Sequence, residues 1–349
     1  MGELEPNHKQ IEINRPHWSD RKPRGSKFQL DRNENYDTQL SNFLDDIFLP
    51  GLRASAIIQY PDIRGGYEAL SRFTGIHSSR LFLTSGSELA IRHILETHRP
   101  VYKTLSICDP TFGMAEVYSN IWKYKLTRCK YRYNRKKKRF SVNYKPKQIS
   151  YIASPDNPTG HVFDCDDLID ACETSKLVIL DEAYQNFSPY TTEHLLDTYD
   201  NLYIIRTFSK CGGAAGLRIG YIISTKQNIQ HLYQYRPMYE ISSIACEYLK
   251  VACRFPSTLD SSVTSLKLGK HKLEQWFKNR GYHVARTHGN FTLVEYNNAL
   301  AEVLYKLISF KTVVADEQKF IRISSADRVV VAEIINHVSR YDHFLQKAI

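Results

Sequence analysis

The sequence predicts an α/β fold: a mostly parallel sheet with helices on both faces, followed by a smaller α+β unit. Three observations carry that prediction. Short apolar runs of strand length alternate with helix-spaced segments between residues 80 and 223. Four polar clusters follow directly on such runs, where the strand ends of a parallel sheet gather. From Met238 onward the alternation gives way to long helical stretches and a few short strands. The 349 residues exceed what one small core usually supports. The expected division is an arm over 1–40, a large domain over 41–237 and a small C-terminal domain over 238–349.

The elements follow in order. Residues 1–28 are polar with little periodicity and read as an irregular lead-in. Residues 80–98 begin as a strand, pass through Thr84-Ser85-Gly86-Ser87, and continue with Leu89, Ile91, Ile94 and Leu95 at helical spacing. A strand over 104–109 and a helix over 112–122 come next. The strand over 149–154 runs into a proline-rich turn, and 166–174 reads as a helix. Strands follow at 177–183, 201–208 and 217–223. In the C-terminal part, 238–253 reads as a helix ended by Pro256, and a second spans 257–279. Strands at 291–296 and 319–324 flank a helix over 300–308, and a last helix follows Asp327.

Composition narrows the class. Apolar residues make up 42% and charged residues 24%, as in ordinary globular chains. The formal charge of +10 suits either anionic small ligands or nucleic acid, and much of the excess lies in "RCKYRYNRKKKRF" at 128–140. There, Tyr131 and Tyr133 alternate with cations, the pattern of a strand with one polar face, and a solvated hairpin tip explains it most simply. Seven cysteines without a CxxC pair fit neither a zinc site nor a disulfide framework, so a reducing compartment is expected. The 13 histidines show no ligand spacing, and no metal is expected. The N-terminus lacks a signal-peptide pattern, and Pro6 stands where myristoylation wants Ser or Thr. No apolar run has the length of a membrane span. These observations set cytoplasm as the expected location and exclude a membrane partner.

The four clusters are Thr84–Ser87, Ser154-Pro155-Asp156-Asn157-Pro158, Asp181-Glu182-Ala183-Tyr184 and Thr207-Phe208-Ser209-Lys210. A helix N-terminus with small hydroxyls is an anion site. Ser209 and Arg218 add a hydroxyl donor and a forked cation, which suit a phosphate. Asp181 ends an apolar strand, so its carboxylate needs a cationic partner. Lys210 is an amine that desolvation would make nucleophilic. A phosphate, a protonated ring nitrogen and a Schiff-base lysine together describe pyridoxal 5′-phosphate.

The stretches "SPDNPTG", "LDEAYQNF", "RTFSKCGGAAGLRIGY", "YPD", "HGNFTLV" and "FIRIS" resemble the pyridoxal-phosphate aminotransferases of fold type I (class I/II). With "LDRNENYD" at 30–37, the likeness is nearest to the histidinol-phosphate aminotransferase branch, and it runs in order from Leu30 to the end. The resemblance implies a large domain with a mostly parallel seven-stranded sheet. It also implies roles. Lys210 bonds covalently to the cofactor and shuttles the proton. Asp181 pairs with the pyridine nitrogen, while Asn157 and Tyr184 hydrogen-bond the ring oxygen. Phe112 stacks on the ring, where many relatives have Tyr. Gly86, Ser87, Thr207, Ser209 and Arg218 hold the phosphate. Tyr60 reaches the phosphate of the neighbouring subunit of a homodimer, and Arg322 binds the substrate carboxylate.

The implied reaction moves an amino group from a small-molecule amino donor, an amino acid or phosphorylated amino compound, to a 2-oxo acid. "SGSELA" departs from the acidic pair that usually follows the phosphate-turn glycine, and the proline after "NEN" is absent. These departures leave the substrate open. A decarboxylase of a phosphorylated amino acid is one alternative. A catalytically inactive homologue that binds nucleic acid through its basic run is another. Retention of Lys210, Asp181, Asn157, Tyr184 and Arg218 together argues against the latter, and nucleic acid is not an expected partner.

Overall fold

The computed structural model describes residues 27–346. The irregular lead-in expected over 1–28 lies almost wholly outside the described residues. The longer elements are, in chain order, α1 (Ile63–Thr74), β1 (Leu81–Ser85), α2 (Ser87–His98), β2 (Thr104–Asp109), α3 (Gly113–Ile121), β3 (Lys125–Asn134), β4 (Arg139–Val142), β5 (Ile149–Ala153) and α4 (Cys165–Thr174). Next come β6 (Leu177–Asp181), β7 (Leu202–Thr207), β8 (Ile219–Ile223), α5 (Lys226–Tyr233), α6 (Ser243–Ala252) and α7 (Pro256–Asn279). The chain continues with β9 (Val284–Ala285), β10 (Phe291–Glu295), α8 (Asn298–Tyr305), β11 (Lys311–Ala315), β12 (Gln318–Ser324) and α9 (Arg328–Ser339).

The large sheet has the strand order β1-β8-β7-β6-β5-β2-β3-β4. Pairings from β7 through β3 are parallel, whereas β8 runs antiparallel to both of its neighbours. The central strands are short and wholly buried because helices cover both faces. Alternate residues serve opposite cores: Val178 and Leu180 face one, Leu177 and Ile179 the other.

The expected seven strands become eight. β3 extends through the basic run to Asn134, and the chain turns back so that Asn134 pairs with Arg139 and Tyr131 with Val142. The extra strand β4 is the return arm of that hairpin.

A second sheet, β9-β10-β12-β11, is antiparallel throughout. Ile321 and Ile323 of β12 face a core with Leu273 and Phe277 of α7, Val303 of α8 and Val331 of α9, while Phe320 joins the large-sheet core. The helix expected over 238–253 begins only at Ser243, because the Ser242 hydroxyl caps it by accepting from Ala245 N. That helix, α6, packs on α1, and both lie in the large-sheet core. α7 spans both units: Leu259 and Leu266 lie in the first core, Leu273 and Phe277 in the third. The helix expected over 300–308 stops at Tyr305, and Ile308–Ser309 pairs in parallel with Phe28–Gln29. Among the described residues, no helix is long and apolar enough to cross a membrane.

Candidate active site

The parallel sheet brings the carboxyl ends of β1, β5, β6 and β7 to one edge, and each predicted cluster follows one of them. Asp181 closes β6 and is buried. Its Oδ2 accepts from Tyr151 Oη at 2.8 Å and its Oδ1 from Ala183 N at 3.0 Å. Burial pushes its carboxyl up to about 6, and the Tyr151 hydrogen bond, the Ala183 amide and the Lys210 charge hold it from rising further. Among the described residues Asp181 has no salt-bridge partner, so a cationic ligand group is what this end of the sheet lacks.

Lys210 is half-buried beyond β7. Its Nζ donates to Arg32 O at 3.2 Å and lies 5.7 Å from the Tyr184 ring centroid. Burial, followed by the charges of Arg322 and Arg218, pulls the amine down to about 8, against the opposing pull of Glu34 and Asp181. That is the condition of an amine able to act as nucleophile and base near neutral pH.

The anion-binding end is built from close backbone approach. Gly86, at φ 82°, precedes α2 without any side-chain cap, and a helix start of this kind favours an anion. A Cβ on Gly86 would sit 2.6 Å from Arg218 Nη2, and one on Gly220 would sit 2.5 Å from Gly86 C and Ser87 N. Arg218, itself left-handed at φ 55°, holds its guanidinium over this turn, with Nη2 3.7 Å from Glu88 Oε2. Thr207 Oγ1 donates to Ile219 O at 2.7 Å and accepts from Ser209 N at 3.1 Å, which fixes the turn carrying Ser209 and Lys210.

Arg322 arrives from β12 and is 4% exposed. Its Nη1 donates to Asn157 Oδ1, its Nη2 to Asp31 O at 2.6 Å, and its buried Nε has no partner. Tyr184 Oη accepts from Asn33 Nδ2 at 2.9 Å. Phe112 is the residue from which α3 starts, and it packs against the second core.

Lys210, Asp181, Asn157, Tyr184, Arg322 and the Gly86–Arg218 turn therefore lie together at the carboxyl edge of the sheet, where α/β proteins have their binding crevice. Tyr60 does not join them within this chain: it is 81% exposed and stacks on Tyr239 at 4.8 Å. Sequence reasoning missed several supports. Asn35 donates to Lys210 O and Cys211 O, both at 3.1 Å. Asp156, fully buried, accepts from Thr111 Oγ1 at 2.7 Å and Tyr131 Oη at 2.6 Å. Asn33, Asn35 and Asp156 lie within motifs already singled out, but Tyr151 carries no local signal.

These residues fit pyridoxal 5′-phosphate. A buried carboxyl without a cation suits the ring nitrogen, a glycine cradle below an arginine suits the phosphate, and a lowered amine stands nearby. The family model for aminotransferase class I and II matches residues 30–338. The histidinol-phosphate aminotransferase 1 of Trichormus variabilis is 30% identical over 295 residues, covering 81% of this chain and 82% of that protein. The crystal structure of the histidinol-phosphate aminotransferase of Sinorhizobium meliloti with pyridoxal-5′-phosphate superposes with TM-score 0.75 at 19% identity, covering 92% of each chain. An L-threonine-O-3-phosphate decarboxylase from Porphyromonas gingivalis shares the fold at TM-score 0.72 and 16% identity, covering 90% of this chain and 99% of that one. The chain belongs to aminotransferase class I and II, in its histidinol-phosphate aminotransferase-like branch, and is a pyridoxal-phosphate-dependent aminotransferase.

Proposed function

We propose that the amino donor is a small amine carrying a phosphate or carboxylate close to the reacting carbon, with histidinol phosphate as the leading candidate, and that a 2-oxo acid accepts the amino group. The observation that carries this reading is Arg322. It is a buried guanidinium with an unpartnered Nε, held beside Asn157 and close enough to Lys210 for its charge to lower that amine. A buried cation with spare donors calls for an anionic ligand. Histidinol phosphate carries its phosphate ester where an amino acid carries its carboxylate, so one arginine can serve donor and acceptor in turn. The name of the Trichormus variabilis relative supports the same choice.

When bound, pyridoxal 5′-phosphate supplies an electron sink conjugated to the reacting carbon and stores the amino group between the two half-reactions. The chain's residues do the rest. Lys210 would hold the cofactor and, as a free amine, move a proton at Nζ, whose lowered pKa leaves part of it neutral near pH 8. Asp181 keeps a negative charge toward the ring nitrogen. Asn157 and Tyr184 orient the ring oxygen, and Phe112 covers the ring face. Gly86, Ser87, Thr207, Ser209 and Arg218 anchor the phosphate at the α2 N-terminus. Exposed Ile57, Ile58, Tyr60 and Met238 suit burial against a second copy, with Tyr60 reaching the neighbouring cofactor phosphate. A division into a large and a small domain, with α6 and the first half of α7 on the large-domain side rather than beyond a boundary at 237, and a cytoplasmic location belong to the same reading.

The test is incubation of the cofactor-loaded protein with histidinol phosphate and a 2-oxo acid, following formation of the new amino acid. Transfer is expected, with phosphate-free histidinol a much poorer donor. Carbon dioxide release from a phosphorylated amino acid, without amino transfer, would overturn the proposal in favour of decarboxylation.

A further inference from the structure

The basic run forms the solvent-exposed hairpin tip expected of it, and that hairpin is also held by other parts of the chain. Four parts of the C-terminal sheet seat on the hairpin β3–β4. Asp316 Oδ2 accepts from Tyr133 N at 2.7 Å and its Oδ1 from Arg132 Nη1 at 3.1 Å. Arg135 grips Glu295 of β10 with both terminal nitrogens, at 2.6 and 2.9 Å. Tyr133 Oη lies 2.7 Å from His283 Nε2. The rings of Tyr133 and Phe140 meet Phe320 of β12 at 5.3 and 5.9 Å. Arg286 N donates to Lys138 O at 2.6 Å.

Two features make this more than surface charge pairing. Asp316 and Glu317 form the β11–β12 turn and are both left-handed, at φ 50° and 63°, a conformation that non-glycine residues adopt only at a cost. The Asp316 carboxylate uses that geometry to reach a strand of the other sheet. The same hairpin also touches the cofactor end of the crevice, because Tyr131 Oη donates to Asp156, the neighbour of Asn157. Phe320 lies two residues before Arg322 and on the same face of β12. The hairpin therefore contacts a near neighbour of each partner in the Asn157–Arg322 hydrogen bond: Asp156 beside Asn157, and Phe320 two residues before Arg322.

We propose that the β3–β4 hairpin, through Asp316, Glu295 and Phe320, is the positioning element that sets Arg322 against the crevice and thereby tunes affinity for the anionic substrates. Asp316 is a positioning residue, not a catalytic one. The inference rests on Arg322 being the substrate-anion ligand. The exposed Arg132 pair alone contributes little; the carboxylate bond to Tyr133 N and the ring contacts carry the link.

Asp316→Gly keeps the left-handed turn available while removing both acceptors. Asp316→Asn also tolerates the turn and keeps an oxygen for Tyr133 N. D316G is expected to raise KM for donor and acceptor about fivefold with kcat within about twofold, while D316N stays near the parent. Amide hydrogen exchange over residues 311–324, measured on cofactor-free protein, is expected to quicken in D316G and not in D316N. Unchanged KM and unchanged exchange in D316G would overturn the inference. Arg322→Lys separates the two ideas. If R322K leaves KM unaltered, the substrate role of Arg322 fails, and the exchange arm still reports on the clamp. If R322K raises KM and D316G does not, the positioning claim alone fails. Glu295→Gln provides a second variant, expected to fall between parent and D316G on both readouts.

Discussion

At the scale of single residues, the site places ionisable groups where burial shifts them toward use. Replacing Lys210 by Ala is expected to lower amino transfer by about 10³-fold or more, and borohydride should then fix no cofactor to the chain. A borohydride-stable adduct in that variant would remove Lys210 from its role. Gly86→Ala tests the anion cradle without touching a charge. The added Cβ meets Arg218 Nη2, and the backbone at φ 82°, ψ 160°, a region essentially reserved for glycine, costs on the order of 1–3 kcal/mol on its own. Cofactor titration should give a dissociation constant raised about tenfold or more, since roughly 1.4 kcal/mol is a factor of ten. Gly86 was legible as part of a phosphate turn. Its clash with Arg218 was not, because the two residues meet only when β1 and β8 pair.

At the scale of elements, β6 and β7 carry a second charged cluster behind the crevice. Arg206 Nε donates to Glu182 Oε2 at 2.8 Å, Nη1 reaches Glu193, and Thr192 Oγ1 donates to Glu182. Glu182 follows Asp181 directly and Arg206 precedes Thr207, so this network ties together two strand ends that each hold a site residue. Arg206→Met would leave Glu182 charged and buried without its partner. The expected loss is about 3–5 kcal/mol, read as a lowered denaturant midpoint. The central strands were legible from their apolar runs, and their carboxyl-end clusters from the polar residues that follow. The edge hairpin β3–β4 was not legible as a docking element. Its cations read as solvent-facing, and its partners Asp316, Glu295 and Phe320 lie more than 150 residues later.

At the scale of the whole molecule, stability should depend on acid in a defined window. His98, His161 and His288 are each pulled down to about 4, mainly by burial. Their unfolded value is near 6.5. Between those values each of these histidines is protonated in the unfolded chain and not in the folded one, so its contribution to stability is full above about pH 6.5 and is lost as pH drops toward 4. His98 alone, which is 8% exposed, accounts for about 3 kcal/mol by the bottom of the window. Asp156 and Asp181, which burial raises to about 7 and about 6, act in the opposite direction over the same window, so the histidine contribution is read by difference. Thermal midpoints of the parent and of His98→Gln, which lacks one of the three titrating histidines, should diverge between about pH 6.5 and 4.5, and parallel profiles would contradict the assignment.

The sequence by itself determined the α/β class, the chain order of the main strands, the cofactor and the polar clusters at the strand ends. Those are local properties: apolar periodicity makes the strands, and small polar residues directly after a strand must lie at its end. Only the tertiary structure decided which distant groups complete the site. Asn33 on Tyr184, Tyr151 on Asp181, Asp31 and Asn157 on Arg322, and the basic hairpin beneath Asp316 are all contacts between separated segments. They form because burial leaves each polar group in need of a partner, and the fold selects which partner comes within reach.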